Sequence, residues 1–179
     1  MSSRIDVRLA GYDDTGELAR LIAESARALS RGFYSEVETE SAIRYVFGVD
    51  STLIDDGTYF VAELDGGLAG CGGWSRRNTL YGGDQRPGGE ASLLDPTKDA
   101  ARIRAFFVAP SAARRGVGRR LLEECSTAAS AAGFRALTLM ATLPGVPFYT
   151  ALGFRPAGDV VDALPDGVPL RFVRMEREI

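Results

Sequence analysis

Four arginines and two glycines stand side by side in Arg114-Arg115-Gly116-Val117-Gly118-Arg119-Arg120. Glycine lets a backbone approach a ligand closely, and the first turn of a helix offers unpaired N–H groups and the positive end of its dipole. The stretch therefore predicts an anion site, and phosphate is the favoured ligand.

The elements around this turn must hold it in place. Residues 103–109 form a short apolar run closed by Pro110, which predicts a buried strand. Beyond the turn, apolar residues recur at helical spacing until Gly133, which predicts the end of a helix. These residues are Val117, Leu121, Leu122, Cys125, Ala128, Ala129 and Ala132. The predicted order is strand, Gly-Arg turn and amphipathic helix.

Three kinds of phosphate-binding turn compete for this order. A Walker loop ends in Gly-Lys-Ser/Thr, whereas Gly118 is followed by Arg119 and Arg120. A dinucleotide fingerprint needs a third glycine where Leu121 stands. Residue types therefore disfavour the first two kinds of site.

The third is the pyrophosphate-binding motif of the GNAT superfamily of acyl-CoA-dependent N-acyltransferases, which the stretch resembles. In that motif Gln or Arg is followed by two residues, Gly, any residue, and Gly or Ala; here Ala113 takes the first position. The resemblance implies that backbone N–H groups hold the pyrophosphate, so this departure removes only one side chain. The implied cofactor-binding residues here are Arg114, Arg115, Gly116, Val117, Gly118 and Arg119.

A second segment, residues 147–154, resembles the family's later motif, a helix that carries Phe-Tyr and ends at Leu-Gly-Phe. Residues 145–152 are predicted to form a short helix, and Gly153 suits a left-handed cap before a strand that Phe154 opens. Residues 136–141 predict the strand between the two motifs. The resemblance covers roughly residues 102–156.

The resemblance also implies roles in the reaction. An amine attacks the thioester directly, which needs alignment of the reactants, stabilisation of an oxyanion, and proton transfers. Backbone groups of Phe106, Phe107 and Val108 are expected to contact the acyl carbonyl and pantetheine. Tyr149 matches the family's general acid, although Thr142 stands where other members carry an asparagine.

No general base carries over from the family. Many relatives place a glutamate where this chain has Arg102. Carboxylates that could accept a proton through water are Glu36, Glu38, Glu90, Asp95 and Asp99. The main hypothesis is an acetyl-CoA-dependent N-acetyltransferase acting on a primary amine of a small molecule or peptide. The alternative is a non-catalytic acyl-CoA-binding module of the same fold.

Composition narrows the function classes further. The 179 residues, 45% of them hydrophobic, predict a single domain over residues 1–179. Histidine is absent, which disfavours a metal site and nucleophilic triads. A net charge of −3 disfavours nucleic acid as a partner. No membrane span or signal peptide is visible, so a cytoplasmic protein is expected. Cys71 and Cys125 are expected to be buried thiols.

The predicted fold class is α/β, with a GNAT-like mixed, mostly antiparallel central sheet flanked by helices. Helices are predicted to begin at Asp14 with Glu17, and at Ser35 with Glu38, in capping-box patterns; residues 58–75 predict a hairpin. Residues 77–101 predict a long loop, either a substrate cover or a mobile insertion. Residues 168–178 alternate like an edge strand, through which a homodimer could form. In similar enzymes the strand before the glycine motif and the chain around the first two helices border the acceptor site. The resemblance therefore implies five candidate acceptor contacts: Phe33, Tyr34, Tyr45, Trp74 and Tyr81.

Overall fold

Within residues 4–86 and 91–179, which the computed structural model describes, seven strands form one sheet. The strands are β1 (Ile5–Leu9), β2 (Tyr59–Leu64), β3 (Gly67–Ser75), β4 (Ala101–Val108), β5 (Ala136–Thr142), β6 (Arg155–Ala163) and β7 (Pro169–Glu178). Their order is β1-β2-β3-β4-β5-β7-β6, and only the β4–β5 pair is parallel. The predicted mixed, mostly antiparallel sheet is confirmed.

Helices flank this sheet. They are α1 (Thr15–Leu29), α2 (Glu36–Tyr45), α3 (Ser51–Asp55), α4 (Val117–Ala131) and α5 (Val146–Ala151). Helix α1 packs against α2 and β4, while α4 crosses β1 to β4. Helix α4 ends just before Gly133, whose φ of +95° confirms the predicted stop. No helix in the described ranges is both long and apolar enough to cross a membrane.

The parallel contact between β4 and β5 is short. Only Ala101 with Leu137 and Arg102 with Thr138 are paired, at the start of both strands. Beyond Arg102 the two strands separate, although β4 continues to Val108 and β5 to Thr142. The sheet therefore opens into a wedge between the ends of β4 and β5, where a ligand can reach the backbone of β4.

Local capping was predicted correctly for one helix and incorrectly for another. At α2, Glu38 N–H donates to Ser35 Oγ, and Ser35 N–H donates to Glu38 Oε1, as the capping box requires. At α1, Asp14 accepts instead from the Gly11 N–H and pairs with Arg8 at 2.8 Å. The predicted cap from Asp14 is wrong because the guanidinium on β1 holds its carboxylate.

The C-terminal strand lies inside the sheet. Strand β7 pairs with β5 on one side and with β6 on the other. The predicted edge position of residues 168–178 is therefore wrong, because the chain after Phe154 forms β6 and covers that edge. Both cysteines are buried free thiols, as predicted.

Candidate active site

The Gly-Arg turn connects β4 to the first turn of α4. Arg114 and Gly116 both adopt left-handed backbone conformations, with φ of +63° and +88°. The helix begins at Val117, and Arg120 N–H donates to Gly116 O at 3.0 Å. The N–H groups of Val117 to Arg119 precede this first closed turn, so they face out of the helix end, where the dipole is positive.

The arginines of the turn stand on the surface. Arg114, Arg115 and Arg119 are exposed. Arg115 lies 3.5 Å from Asp65, in the turn of the β2–β3 hairpin, whereas Arg120 pairs with Glu124 along the helix. Neither Arg114 nor Arg119 forms an ion pair with any residue of the described ranges. Their charge is available to an anion at the helix end.

The two predicted motifs meet at this helix end. A Cβ atom at Gly118 would lie 2.9 Å from Cζ of Phe148 and 3.6 Å from Cγ2 of Val108. Glycine at this position thus lets the first turn of α4 approach both α5 and the end of β4. The Phe148 ring lies 6.1 Å from the ring of Phe106, which joins the third predicted segment to the same place.

Tyr149 lies inside this cluster. Its ring packs edge-on against those of Phe106, Phe148 and Phe154 at centroid distances of 6.1, 5.0 and 5.5 Å. The residue is 7% exposed, and burial raises the pKa of its phenol. Its hydroxyl makes no hydrogen bond to a described residue. Tyr149 is therefore neutral at neutral pH, with its proton available to a ligand.

Strand β4 is interrupted by a bulge just before the predicted acyl contacts. The register against β3 shifts between Cys71 and Gly73, opposite Ala105, whose φ is +48°. The Ala105 carbonyl accepts from Tyr59 Oη at 3.3 Å and from Cys71 Sγ at 3.5 Å, and both donors are fully buried. Such a bulge breaks the ladder and re-aims the residues that follow it. Here those residues are Phe106 to Val108, which are only half-buried.

The predicted carboxylate bases lie elsewhere. Glu38 caps α2, and Asp99 accepts from the Asp95 N–H before β4 begins, at the opposite end of that strand from Val108. Glu36 lies in the exposed first turn of α2. Glu90 falls outside the described residues. Asp95 and Asp99 thus lie beyond the far end of β4 from Val108, whereas Glu36 and Glu38 lie in the first turn of α2.

The described part of the predicted loop includes an ordered strap, residues 77–86. Gly83 N–H donates to Val46 O, and Asp84 N–H donates to Val49 O, so the strap is tied to the segment between α2 and α3. At its far end Arg86 pairs with Asp162 of β6 and covers the ring of Tyr81. These contacts join the strap to two separate parts of the fold.

Beneath the strap lies a buried ion pair that sequence patterns did not reveal. Arg104 Nη2 lies 2.8 Å from Asp50 Oδ2 and 2.5 Å from the Gly82 carbonyl, and the two side chains are 7% and 4% exposed. Burial raises the pKa of Asp50 and lowers that of Arg104. No local spacing signals the pair, because its members come from distant segments.

The predicted aromatic acceptor contacts are divided between core and surface. Tyr34 is buried and donates to the Arg171 carbonyl at 2.5 Å, while Trp74 packs against Phe134 in the core. Tyr81 packs against Phe172, at 5.2 Å between centroids. Phe33 is 44% exposed, and Tyr45 is half-buried.

Comparisons with known proteins relate this arrangement to others. A family model described as "Acetyltransferase (GNAT) domain" matches residues 55–156, more than half of the chain. No curated protein matches the sequence.

Among the described residues, no group of three or more cysteines and carboxylates is placed to hold a metal ion.

Solved structures share the fold at low sequence identity. A GCN5-related N-acetyltransferase from Rhodopseudomonas palustris is 20% identical with a TM-score of 0.74, covering 100% of this chain and 98% of its own. The PaiA N-acetyltransferase from Thermoplasma acidophilum, in complex with coenzyme A, is 18% identical with a TM-score of 0.66 and coverages of 98% and 99%. The ribosomal-protein-alanine N-acetyltransferase from Brucella melitensis is 17% identical with a TM-score of 0.61 and coverages of 97% and 99%.

Proposed function

The chain belongs to the GNAT acetyltransferase family, and we propose that it transfers an acetyl group from acetyl-CoA to a primary amine of a small molecule or peptide. We further propose that residues 1–179 act as one domain. The observation that carries the proposal is the convergence of Gly118, Phe148 and Tyr149 at the end of β4. It places the start of α4, which we propose binds the pyrophosphate, close to the buried phenol of Tyr149.

The donor is proposed to lie in the wedge between β4 and β5. Its pyrophosphate meets the N–H groups at the start of α4, with Arg114, Arg115 and Arg119 supplying positive charge. Its pantetheine and acyl carbonyl follow the backbone of Phe106, Phe107 and Val108. Support comes from the end of the β4–β5 pairing at Arg102, beyond which no described residue of β4 is paired with β5.

The reaction needs no covalent enzyme intermediate. The amine nitrogen attacks the thioester carbon, the oxyanion accepts hydrogen bonds from β4, and the C–S bond breaks as the carbonyl re-forms. Tyr149 donates its proton to the departing thiolate, and the amine loses a proton to water or a nearby carboxylate. The neutral state of the buried phenol supports the acid role.

The similar structure from Thermoplasma acidophilum was solved in complex with coenzyme A, which supports an acyl-CoA donor for this chain. The name of another similar structure, the ribosomal-protein-alanine N-acetyltransferase, supports an amine acceptor in general but not one particular amine. We therefore keep both small-molecule and peptide amines as acceptors. A homodimer remains a prediction.

Two measurements separate the acetyltransferase from a non-catalytic acyl-CoA-binding module. Acetyl-CoA should raise the melting temperature, and thiol release should depend on added amine. A thioester that binds without turnover across a broad amine panel, and without any kinetic effect of Tyr149→Phe, would establish the binding module instead. Absence of any thermal shift would remove both functions.

A further inference from the structure

A cavity of about 390 Å³ opens where β4 and β5 still pair. Its charged lining consists of Lys98, Asp99, Arg102, Arg135, Arg174 and Glu176. The volume is that of a small-molecule site, and the cations outnumber the carboxylates. The cavity lies at the opposite end of β4 from the Gly-Arg turn, so it is separate from the proposed pyrophosphate site.

The strand register explains why these charges share one face. Arg102 stands opposite Thr138 on β5, and Thr138 stands opposite Glu176 on β7. Arg174 is two residues from Glu176 and therefore points to the same side of the sheet. The guanidinium groups of two non-adjacent strands thus face one space, across β5.

Both carboxylates of the cavity are already engaged, and of its four cations only Lys98 and Arg174 pair with a described carboxylate. Asp99 accepts from the Asp95 N–H at 2.8 Å, and Glu176 lies 3.5 Å from Arg174. No carboxylate of the described ranges lies within ion-pair distance of Arg102 or Arg135. The local field is therefore positive, although the chain as a whole is negative.

Arg102 also carries an unused buried donor. Its two terminal nitrogens donate to Ala100 O at 3.0 Å and to Asn78 Oδ1 at 3.1 Å, but Nε is buried without a partner among the described residues. Burial lowers the pKa of this guanidinium, the charges of Asp99 and Glu176 raise it, and the like charge of Arg174 lowers it. A bound oxyanion would offset the repulsion between the two guanidinium groups.

From these contacts we infer that the cavity binds an oxyanion, a carboxylate or a phosphate, carried by the amine acceptor. The inference rests on the proposed function and names its substrate class. Strands β4 and β5 run in parallel from the cavity and then separate toward Phe106 and Tyr149. An acceptor with an amine at one end and an anion at the other would extend along this path.

Matched amines test the inference. Linear ω-amino acids are compared with the amino alcohols of equal chain length, and O-phosphoethanolamine is compared with ethanolamine. The expected kcat/KM for the anionic member exceeds that of its neutral partner by about tenfold or more at low salt, and the ratio falls as salt increases. A preference confined to one series identifies the anion as carboxylate or phosphate.

Substitutions of single arginines test whether the preference for anionic amines arises in the cavity. Arg102→Gln and Arg174→Gln should each reduce the anionic-to-neutral ratio about tenfold, whereas Arg20→Gln, an exposed arginine on α1, should leave it unchanged. Arg174 is about half exposed, at 46%, so its substitution tests the site even if Arg102→Gln does not fold. A wild-type ratio near one, or a ratio that neither substitution lowers, overturns the anion site.

Binding is also measured without turnover. Titration with 5-aminopentanoate should shift the Arg102 Nε–Hε signal in ¹H–¹⁵N spectra, and 5-aminopentanol should not. Equal acetylation of neutral and anionic amines would refute only the anion site. Failure of acetyl-CoA to bind would refute the proposed function, while the titration would still decide the anion site.

Discussion

Charged groups are held differently on the donor side, which is the Gly-Arg turn with the residues around Tyr149, and on the strap side, which is residues 77–86 with Asp50, Arg104 and Asp162. On the donor side, Gly116 and the first turn of α4 form a site from contiguous residues, with exposed arginines around it. On the strap side, buried or half-buried pairs such as Asp50 with Arg104 and Arg86 with Asp162 join distant segments. A contiguous site can be read from spacing, whereas a site built from distant pairs depends on the fold.

The largest expected effect tests whether the strap side depends on its buried pair. Asp50→Asn leaves the Arg104 charge buried without a counter-charge, which should lower the free energy of unfolding by about 3–5 kcal/mol. Urea denaturation followed by circular dichroism measures the loss. The double variant Asp50→Leu/Arg104→Met should recover most of it. A loss below about 1 kcal/mol for Asp50→Asn would show that Arg104 finds another partner.

The next effect tests the donor side alone. Tyr149→Phe removes the proposed acid and keeps the ring contacts with Phe106, Phe148 and Phe154. We expect kcat to fall about 100-fold while the Kd for acetyl-CoA stays constant. Stopped-flow thiol release and calorimetry measure the two quantities. A fall in affinity with unchanged kcat would assign the hydroxyl to donor binding, and no change in either quantity would assign Tyr149 to packing only.

The pH profile gives the same residue a second readout. An acid must be protonated to act, and burial raises the pKa of Tyr149 above its usual value near 10. The alkaline loss of kcat that is due to this group should therefore begin above pH 10, and it should be missing in Tyr149→Phe. A Tyr149-dependent limb below pH 10 would contradict the effect of burial.

A smaller effect separates backbone from side chains in the pyrophosphate site. The double variant Arg114→Gln/Arg119→Gln should raise the Kd for acetyl-CoA about tenfold at low salt, because the N–H groups of the turn remain. Calorimetry at increasing salt measures the difference, which should shrink as the charges are screened. The exposed pair Arg20→Gln/Arg155→Gln is the matched control. Equal losses in both double variants would point to net charge instead of a site.

The smallest expected effect concerns the ion pair between Arg8 and Asp14, which is more exposed than the pair between Arg104 and Asp50. Hydrogen bonding to Arg8 lowers the pKa of Asp14 to about 2. Asp14→Asn should cost about 1 kcal/mol at pH 7, after allowance for the solvent exposure of Arg8. A lowered pKa contributes stability above the unfolded value, so the difference should vanish as pH falls from about 4 to about 2.

Acid unfolding curves of wild type and Asp14→Asn measure this window. Asp6→Asn, which loses an exposed contact to Arg4, is the matched control and should change stability little. A difference between wild type and Asp14→Asn that persists unchanged at pH 2 would show that the contribution of Asp14 does not come from its charge.

The sequence was sufficient wherever one short segment decides the structure. The Gly133 and Gly153 stops, the Ser35–Glu38 capping box and the β2–β3 turn each depend on local backbone preferences, and all of them formed as predicted. The two donor motifs were located for the same reason. Their contact through Gly118 and Phe148 required the fold to bring them together.

Predictions failed where a distant partner competes with a local rule. The Asp14 carboxylate is taken by Arg8, and residues 168–178 lie inside the sheet because β6 pairs outside them. Helix α3 was missed because its five residues carry too little periodicity. The Asp50–Arg104 pair and the cationic cavity arise from register and long-range contacts, which spacing along one chain does not encode.

A crystal structure of the protein with coenzyme A tests the central claim most directly. We predict pyrophosphate oxygens within hydrogen-bond distance of the backbone N–H groups at residues 117–119, and the thiol sulfur next to the Tyr149 hydroxyl. Pantetheine should follow Phe106 to Val108. Coenzyme A bound away from the start of α4, or a thiol that Tyr149 cannot reach, would contradict the account.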